Sequence, residues 1–226
     1  MWLNMANNIV AYIGVDNYDH LIYFAKILAN LGNKVLIIDH SDTGSMKSST
    51  PLPEGIEFDK EIITYRGVDF TAAEITQEII EVYDDILISY CFQEDLKEIH
   101  RCNRYIFVTD LHRYNLERLI KIIKRYRLKE EFNNELLVRD VIDSKISPDM
   151  LAEQLNHNFN LKNLSVLYLD GKDYANSLVC HYNGDFSFRH ISGQLKKYLI
   201  KEVKSFYPEL NHKQVYTAYL HARRGD

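Results

Sequence analysis

The period of the hydrophobic positions changes in blocks along the chain. Val10, Tyr12 and Ile13 form a short apolar run before Gly14. Leu21, Phe24, Ala25, Leu28 and Leu31 then recur at helical spacing, Gly32-Asn33 closes the helix, and Val35 to Ile38 is apolar up to Asp39. This predicts strand, helix, strand over Ile9 to Ser45, the unit from which parallel sheets with right-handed crossovers are built. Ser, Thr, Gly and Pro over Asp42 to Gly55 predict a loop. Glu61 to Tyr65 reads as a strand, followed by a turn over Arg66 to Phe70 into a helix from Thr71 to Val82. Further strands are predicted within Tyr83 to Tyr90, over Arg104 to Asp110, over Glu135 to Val141, and last over Leu164 to Leu169.

Between these strands, Leu116, Leu119, Ile120 and Ile123 mark an amphipathic helix over Arg113 to Lys129, and Ser147-Pro148 starts another as N-cap and first residue. Asn183-Gly184 reads as a small hairpin turn. The tail from Arg189 reads as two helices broken at Tyr207-Pro208, with Leu195, Leu199 and Val203 on the first and Val215, Ala218 and Tyr219 on the second. The alternation predicts an α/β fold: a doubly wound, mostly parallel sheet flanked by helices, a Rossmann-like three-layer sandwich.

Length and charge narrow the picture. The 226 residues, 46% of them hydrophobic, fit one α/β domain over 1–226, with 189–226 as a C-terminal helical extension packed on it; two small domains fit the length as well. A formal charge of −5 argues against a constitutive nucleic-acid binder. Three cysteines, an odd number, and a polar start (MWLNMAN) too short for a secretory signal point to free thiols in a reducing cytoplasm. No apolar run approaches the roughly 18 residues of a membrane span, so membrane association is expected to be peripheral or through a partner.

Few residues suggest catalysis. G-x-S-x-G, H-E-x-x-H and a Gly-rich dinucleotide fingerprint are all missing from the sequence. Cys91, His100 and Cys102 have the spacing C-x8-H-x-C, which matches no closed zinc module, so no metal site is assigned. His20 could act as a base, though a lone histidine at a helix start reads more simply as a surface or capping residue. Arg66 follows a strand and could meet an anion or partner in the ligand crevice. Arg118, Lys121, Lys124 and Arg125 share the polar face of the basic helix. The plain reading is a solvated face; otherwise it suits an acidic protein partner or a membrane surface better than DNA.

Two stretches carry a resemblance. VLIIDHSDTGS, Val35 to Ser45, resembles the second strand of the ParA/MinD group of P-loop ATPases, which ends in a run like LLIDLDPQGS; Asp39 falls on its first aspartate and Gly44-Ser45 on its close. YDDILISY, Tyr83 to Tyr90, resembles that group's YDYILIDTP, with Ser89 where the metal-water aspartate stands. The resemblance covers roughly residues 9 to 170 and implies the fold already read from the alternation.

The phosphate loop departs from the group. A working P-loop needs glycines so that backbone N–H groups approach the phosphates, a lysine for the β/γ-phosphates and a hydroxyl for Mg²⁺. Gly14-Val15-Asp16-Asn17-Tyr18-Asp19-His20 offers one glycine, no lysine, no Ser or Thr, and two carboxylates placed to satisfy the amides and dipole of the helix start themselves. With Ser89 neutral, the second catalytic element is missing too.

The resemblance with these departures implies a pseudo-ATPase with no catalytic residues and no cofactor. Such a chain would act as a protein-binding scaffold or localisation factor, in the manner of the TadZ/CpaE-like branch of pilus assembly. Its partners would be proteins of pilus or secretion machinery, met at the membrane or cell pole. Members of the group dimerise face to face across two ATP molecules. A member without ATP would form a homodimer by direct side-chain contacts or another surface, or stay monomeric. The degenerate site and partner crevice would be rimmed by Gly14, Asp16, Asn17, Asp19, His20, Asp39, Asp42, Gly44 and Ser89. The rival reading is an ATPase with a non-standard loop that gathers Mg²⁺ through Asp16, Asp39 and Asp42 and positions cargo on DNA or membrane. Three carboxylates around a triphosphate without a nearby cation speak against it.

Overall fold

The computed structural model describes residues 8–128 and 133–224. The MWLNMAN start, Lys129 at the end of the predicted basic helix, and the last two residues of the tail lie outside them.

The buried apolar runs of the sequence become the centre of an eight-stranded sheet. In chain order its strands are β1 (Asn8–Gly14), β2 (Val35–Asp39), β3 (Ile63–Tyr65), β4 (Val68–Thr71), β5 (Asp85–Cys91), β6 (Arg104–Thr109), β7 (Asn133–Val141) and β8 (Asn163–Tyr168). Their spatial order is β3-β4-β2-β5-β1-β6-β7-β8, with every pair parallel except the β3–β4 hairpin. Parallel strands covered on both faces read as continuous apolar runs, as VLII and DILISYC do.

Helices cover each face. α1 (Tyr18–Asn30), α7 (Gly193–Phe206) and α8 (His212–Ala222) share one core with the inward residues Val10, Tyr12, Ile37, Leu87 and Val108. α4 (Arg113–Tyr126) and α5 (Pro148–Asn156) share the other with Ala11, Ile13, Ile38, Ile88 and Phe107. α7 and α8 both pack on α1, so every residue from Asp19 to Leu28 is buried. The tail helices predicted from residue 189 onward therefore complete one face of the sandwich.

Predicted boundaries fail where local signals compete. The predicted loop Asp42 to Gly55 contains a short helix, α2 (Ser45–Ser49), whose first amides are bound by Asp39. The predicted helix from Thr71 gives way to β4 and a shorter α3 (Gln77–Val82), begun by the Thr76 hydroxyl. Val-Asp-Phe-Thr alternates with period 2, and Arg66 (φ 50°) with Gly67 (φ 79°) makes the hairpin turn that pairs it with β3. This turn joins strands at the edge opposite the carboxyl ends of the parallel strands, so Arg66 does not line the crevice. The predicted hairpin at Asn183-Gly184 is the end of a helix, α6 (Gly171–Asn183), with left-handed Gly184 as its cap.

At the amino edge of the sheet, Asp85 is fully buried and accepts hydrogen bonds from Asn8 Nδ2 (2.8 Å), Asn33 Nδ2 (2.7 Å) and Tyr207 Oη (2.7 Å). Burial raises its carboxyl above the ordinary range. The three donors tie β1, the end of α1 and the end of α7 to one point.

Candidate functional site

The carboxyl ends of β1, β2 and β5 meet where the direction of strand addition reverses, the place at which open α/β sheets bind ligands. Tyr12 on β1 and Asp39 on β2 both register with Ser89 on β5.

Gly14 ends β1, but its role is packing. A Cβ here would stand 1.9 Å from the Val108 carbonyl oxygen of β6, and Val15 N–H donates to that same oxygen at 2.8 Å. Only Val15, Asp16 and Asn17 separate β1 from α1. Asn17 makes no side-chain cap; instead Asp16 accepts from Tyr18 N–H (3.1 Å), from the Ser45 hydroxyl (3.1 Å) and from the Thr43 hydroxyl (2.7 Å). The amide end of α1 and the loop after β2 are thus stitched together by one carboxylate.

The other carboxylate turns inward. Asp19 is 3% exposed and binds Arg139 of β7 through two contacts, 3.1 and 3.4 Å. Arg139 also donates to the Asp16 carbonyl (3.4 Å) and to Asp140 (3.1 Å). Burial pushes the Asp19 carboxyl up, but the Arg139 charge and hydrogen bonds outweigh it and hold it below the ordinary range. The cavity beside this pair measures about 20 Å³, enough for about one water. A cation therefore does stand beside the start of α1. It arrives 120 positions later in the chain and is taken up by Asp19.

His20 is buried. Its Nε2 lies 2.7 Å from Glu202 Oε2 of α7, outside hydrogen-bond alignment, and its ring stacks on Phe24. Glu202 also accepts from the Tyr12 hydroxyl at 3.0 Å. Neither the surface nor the capping reading of His20 fits this packing.

Asp39 is saturated by its own chain. One oxygen accepts from Ser41 N–H (3.1 Å) and the Ser41 hydroxyl (2.5 Å), the other from Met46 N–H (3.0 Å) and Lys47 N–H (3.2 Å). Asp39→Ala is expected to free the amides of α2 and lower stability by about 2 kcal/mol, read from the urea midpoint. Ser89 is buried beside Cys91, Oγ to Sγ 3.7 Å. Of the nine predicted rim residues, Gly14, Asn17, Asp19, His20, Asp39 and Ser89 are buried; Asp16 and Gly44 are half-buried and Asp42 is exposed. The solvent-exposed rim is therefore narrower than predicted. A neighbouring recess of about 290 Å³ is lined by Asp39, Asp95 and Lys97, and Lys97 is paired with Glu74 at 3.3 Å.

Compared with known proteins, no family model and no curated sequence matches the chain. Solved structures do. The cell division ATPase MinD of Pyrococcus furiosus superposes with a TM-score of 0.60 at 15% identity, over 89% of this chain and all of that one. A ParA family ATPase from Chlorobium tepidum gives 0.56 at 14%, over 96% and 99%. The chain has the ParA/MinD fold. MinD in the MinC:MinD cell division complex of Aquifex aeolicus gives 0.53 at 16%, over 78% and 86%. At these identities the likeness is one of fold, and the ParA/MinD fold extends past the predicted residue 170 to take in the tail helices.

The predicted basic residues lie on α4. Arg118 sits over the Phe92 ring (3.9 Å) and Arg125 lies 3.7 Å from Glu94; with Lys121 they border a groove of about 220 Å³. Among the described residues, no helix is long and apolar enough to cross a membrane, and no cluster of three His, Cys, Asp or Glu side chains could hold a metal. Sequence reasoning missed Arg139 and Glu202. Arg139 had a signal, an Arg-Asp pair closing the apolar run ELLV at the carboxyl end of a strand; Glu202, one charge on a basic helix, had none.

Proposed function

We propose that this chain is a non-catalytic pseudo-ATPase of ParA/MinD fold that works by binding other proteins, as a scaffold or localisation factor. The observation that carries the reading is the three-residue connection between β1 and α1. Its Asp16 takes up the first helical amide, and its neighbour Asp19 takes up the nearby guanidinium. A triphosphate would need those amides and that cation, and would meet two carboxylates in their place. The saturated Asp39 and the neutral Ser89 support the same reading, since neither is set to hold a metal-bound water. MinD in Aquifex aeolicus is described in complex with MinC; by analogy of fold alone, protein partners of pilus or secretion machinery suit this chain, reached through the exposed rim at Asp42 and Thr43.

Calorimetry with millimolar ATP and Mg²⁺ on the purified chain tests this. The expected result is no heat and no thermal shift. Occupancy a hundredfold above Kd would stabilise the chain by about 2.7 kcal/mol, which a melting curve would show. Saturable binding, or an ATPase rate that Asp39→Ala abolishes, would sink the reading.

A further inference from the structure

α6 is built inside out. Its inward side is polar: Asp173 accepts from Ser192 N–H and hydroxyl (2.5 and 2.6 Å), Asn176 donates to the Tyr23 hydroxyl (2.7 Å) and the Ser187 carbonyl (2.9 Å), and Ser177 and Cys180 are buried. Its outward side is apolar. Tyr174 (61% exposed), Leu178 (40%) and Tyr182 (81%) stand four residues apart on one stripe, with Val179 beside them. The apolar surface continues onto Tyr168 and Leu169, directly before the N-cap Asp170. An ordinary surface helix has the reverse arrangement, and contiguous exposed apolar surface marks a contact.

We infer that this stripe is the contact of an antiparallel homodimer whose two-fold axis passes at Leu178. The spacing is self-complementary: Tyr, Leu, Tyr at i−4, i, i+4. Turned about a two-fold axis, Leu178 meets its own copy and Tyr174 meets the partner subunit's Tyr182, as an isologous interface requires. The antiparallel helix dipoles are favourable as well. The three tyrosines, each more than half exposed, supply on the order of 300 Å². The aliphatic residues and rim carry this toward the about 800 Å² that each side of a standard interface buries. The contact needs no nucleotide and goes beyond the pseudo-ATPase reading.

The test is sedimentation equilibrium of the full chain without nucleotide, so that its result is read apart from ATP binding. The wild type is expected to dimerise at micromolar concentration. Leu178→Asp, which places two like charges at the axis, should weaken the dimer roughly 100-fold and leave the melting temperature unchanged only at concentrations where the wild type is monomeric. Cysteine cross-linking checks the register, since Cys91, Cys102 and Cys180 are buried. Leu178→Cys should cross-link to itself, Tyr174→Cys should cross-link only when mixed with Tyr182→Cys, and Val82→Cys, exposed on α3, should not cross-link. If Leu178→Asp fails to fold, the cross-links decide. A monomer across the concentration range would overturn the inference and leave the stripe to another chain or to lipid; a dimer that Leu178→Asp leaves intact would also overturn it.

Discussion

Gly14→Ala is expected to cost more than about 4 kcal/mol, a large fraction of the roughly 5–15 kcal/mol that holds a domain folded. The added Cβ would stand 1.9 Å from the Val108 carbonyl oxygen and 2.9 Å from its carbon, both backbone atoms of a central strand. Neither can yield without parting β1 from β6, whose pairing runs to Gly14↔Val108. The φ of +128° adds strain. Gly32→Ala separates the two effects: it has φ +98° but nothing within 4 Å of its would-be Cβ. That variant should lose only about 1–2 kcal/mol, the cost of the backbone conformation. Urea denaturation of both variants checks this, and similar losses in the two would refute the steric account.

The second large effect is Arg139→Ala, expected to destabilise by about 3 kcal/mol at pH 7, because it strands the buried Asp19 carboxylate. Asp19→Asn added to it should recover most of the loss. The pH dependence has a definite sign. In the wild type the folded carboxyl lies below its unfolded value of about 3.9, so its contribution is present above that pH and is lost as pH falls through the folded value. Without Arg139, burial is left to raise the carboxyl, so protonation relieves the variant as pH falls. The gap between variant and wild type should therefore narrow from pH 7 to about pH 4.5. A gap that stays constant would mean that the loss comes from packing of the arginine stem.

These two substitutions sit on either side of what the chain's own order reveals. From β1 through β2, and again at β5, β6, α4 and β7, elements were legible because their signals are local: an apolar run, a 3.6 period, or a Gly-Asn stop. The lack of lysine and hydroxyl after Gly14 was legible for the same reason. β4 and α6 were not. Four residues with period 2 are shorter than the window that separates strand from helix, and α6 has its apolar residues on the wrong side. The partners of the polar groups around α1 could not be read in order either. Arg139 meets Asp19 across 120 positions and Glu202 reaches Tyr12 across 190, and only the stacking of β7 and α7 around α1 brings them together. The sequence by itself determined the sheet, its parallel sense and a first turn with one glycine and neither lysine nor Ser or Thr, since each follows from residues near in the chain. The tertiary structure alone decided that Gly14 serves packing, that Asp19 and His20 are buried partners, and that an apolar helix face is left outward, since each depends on which distant side chain arrives to fill the space.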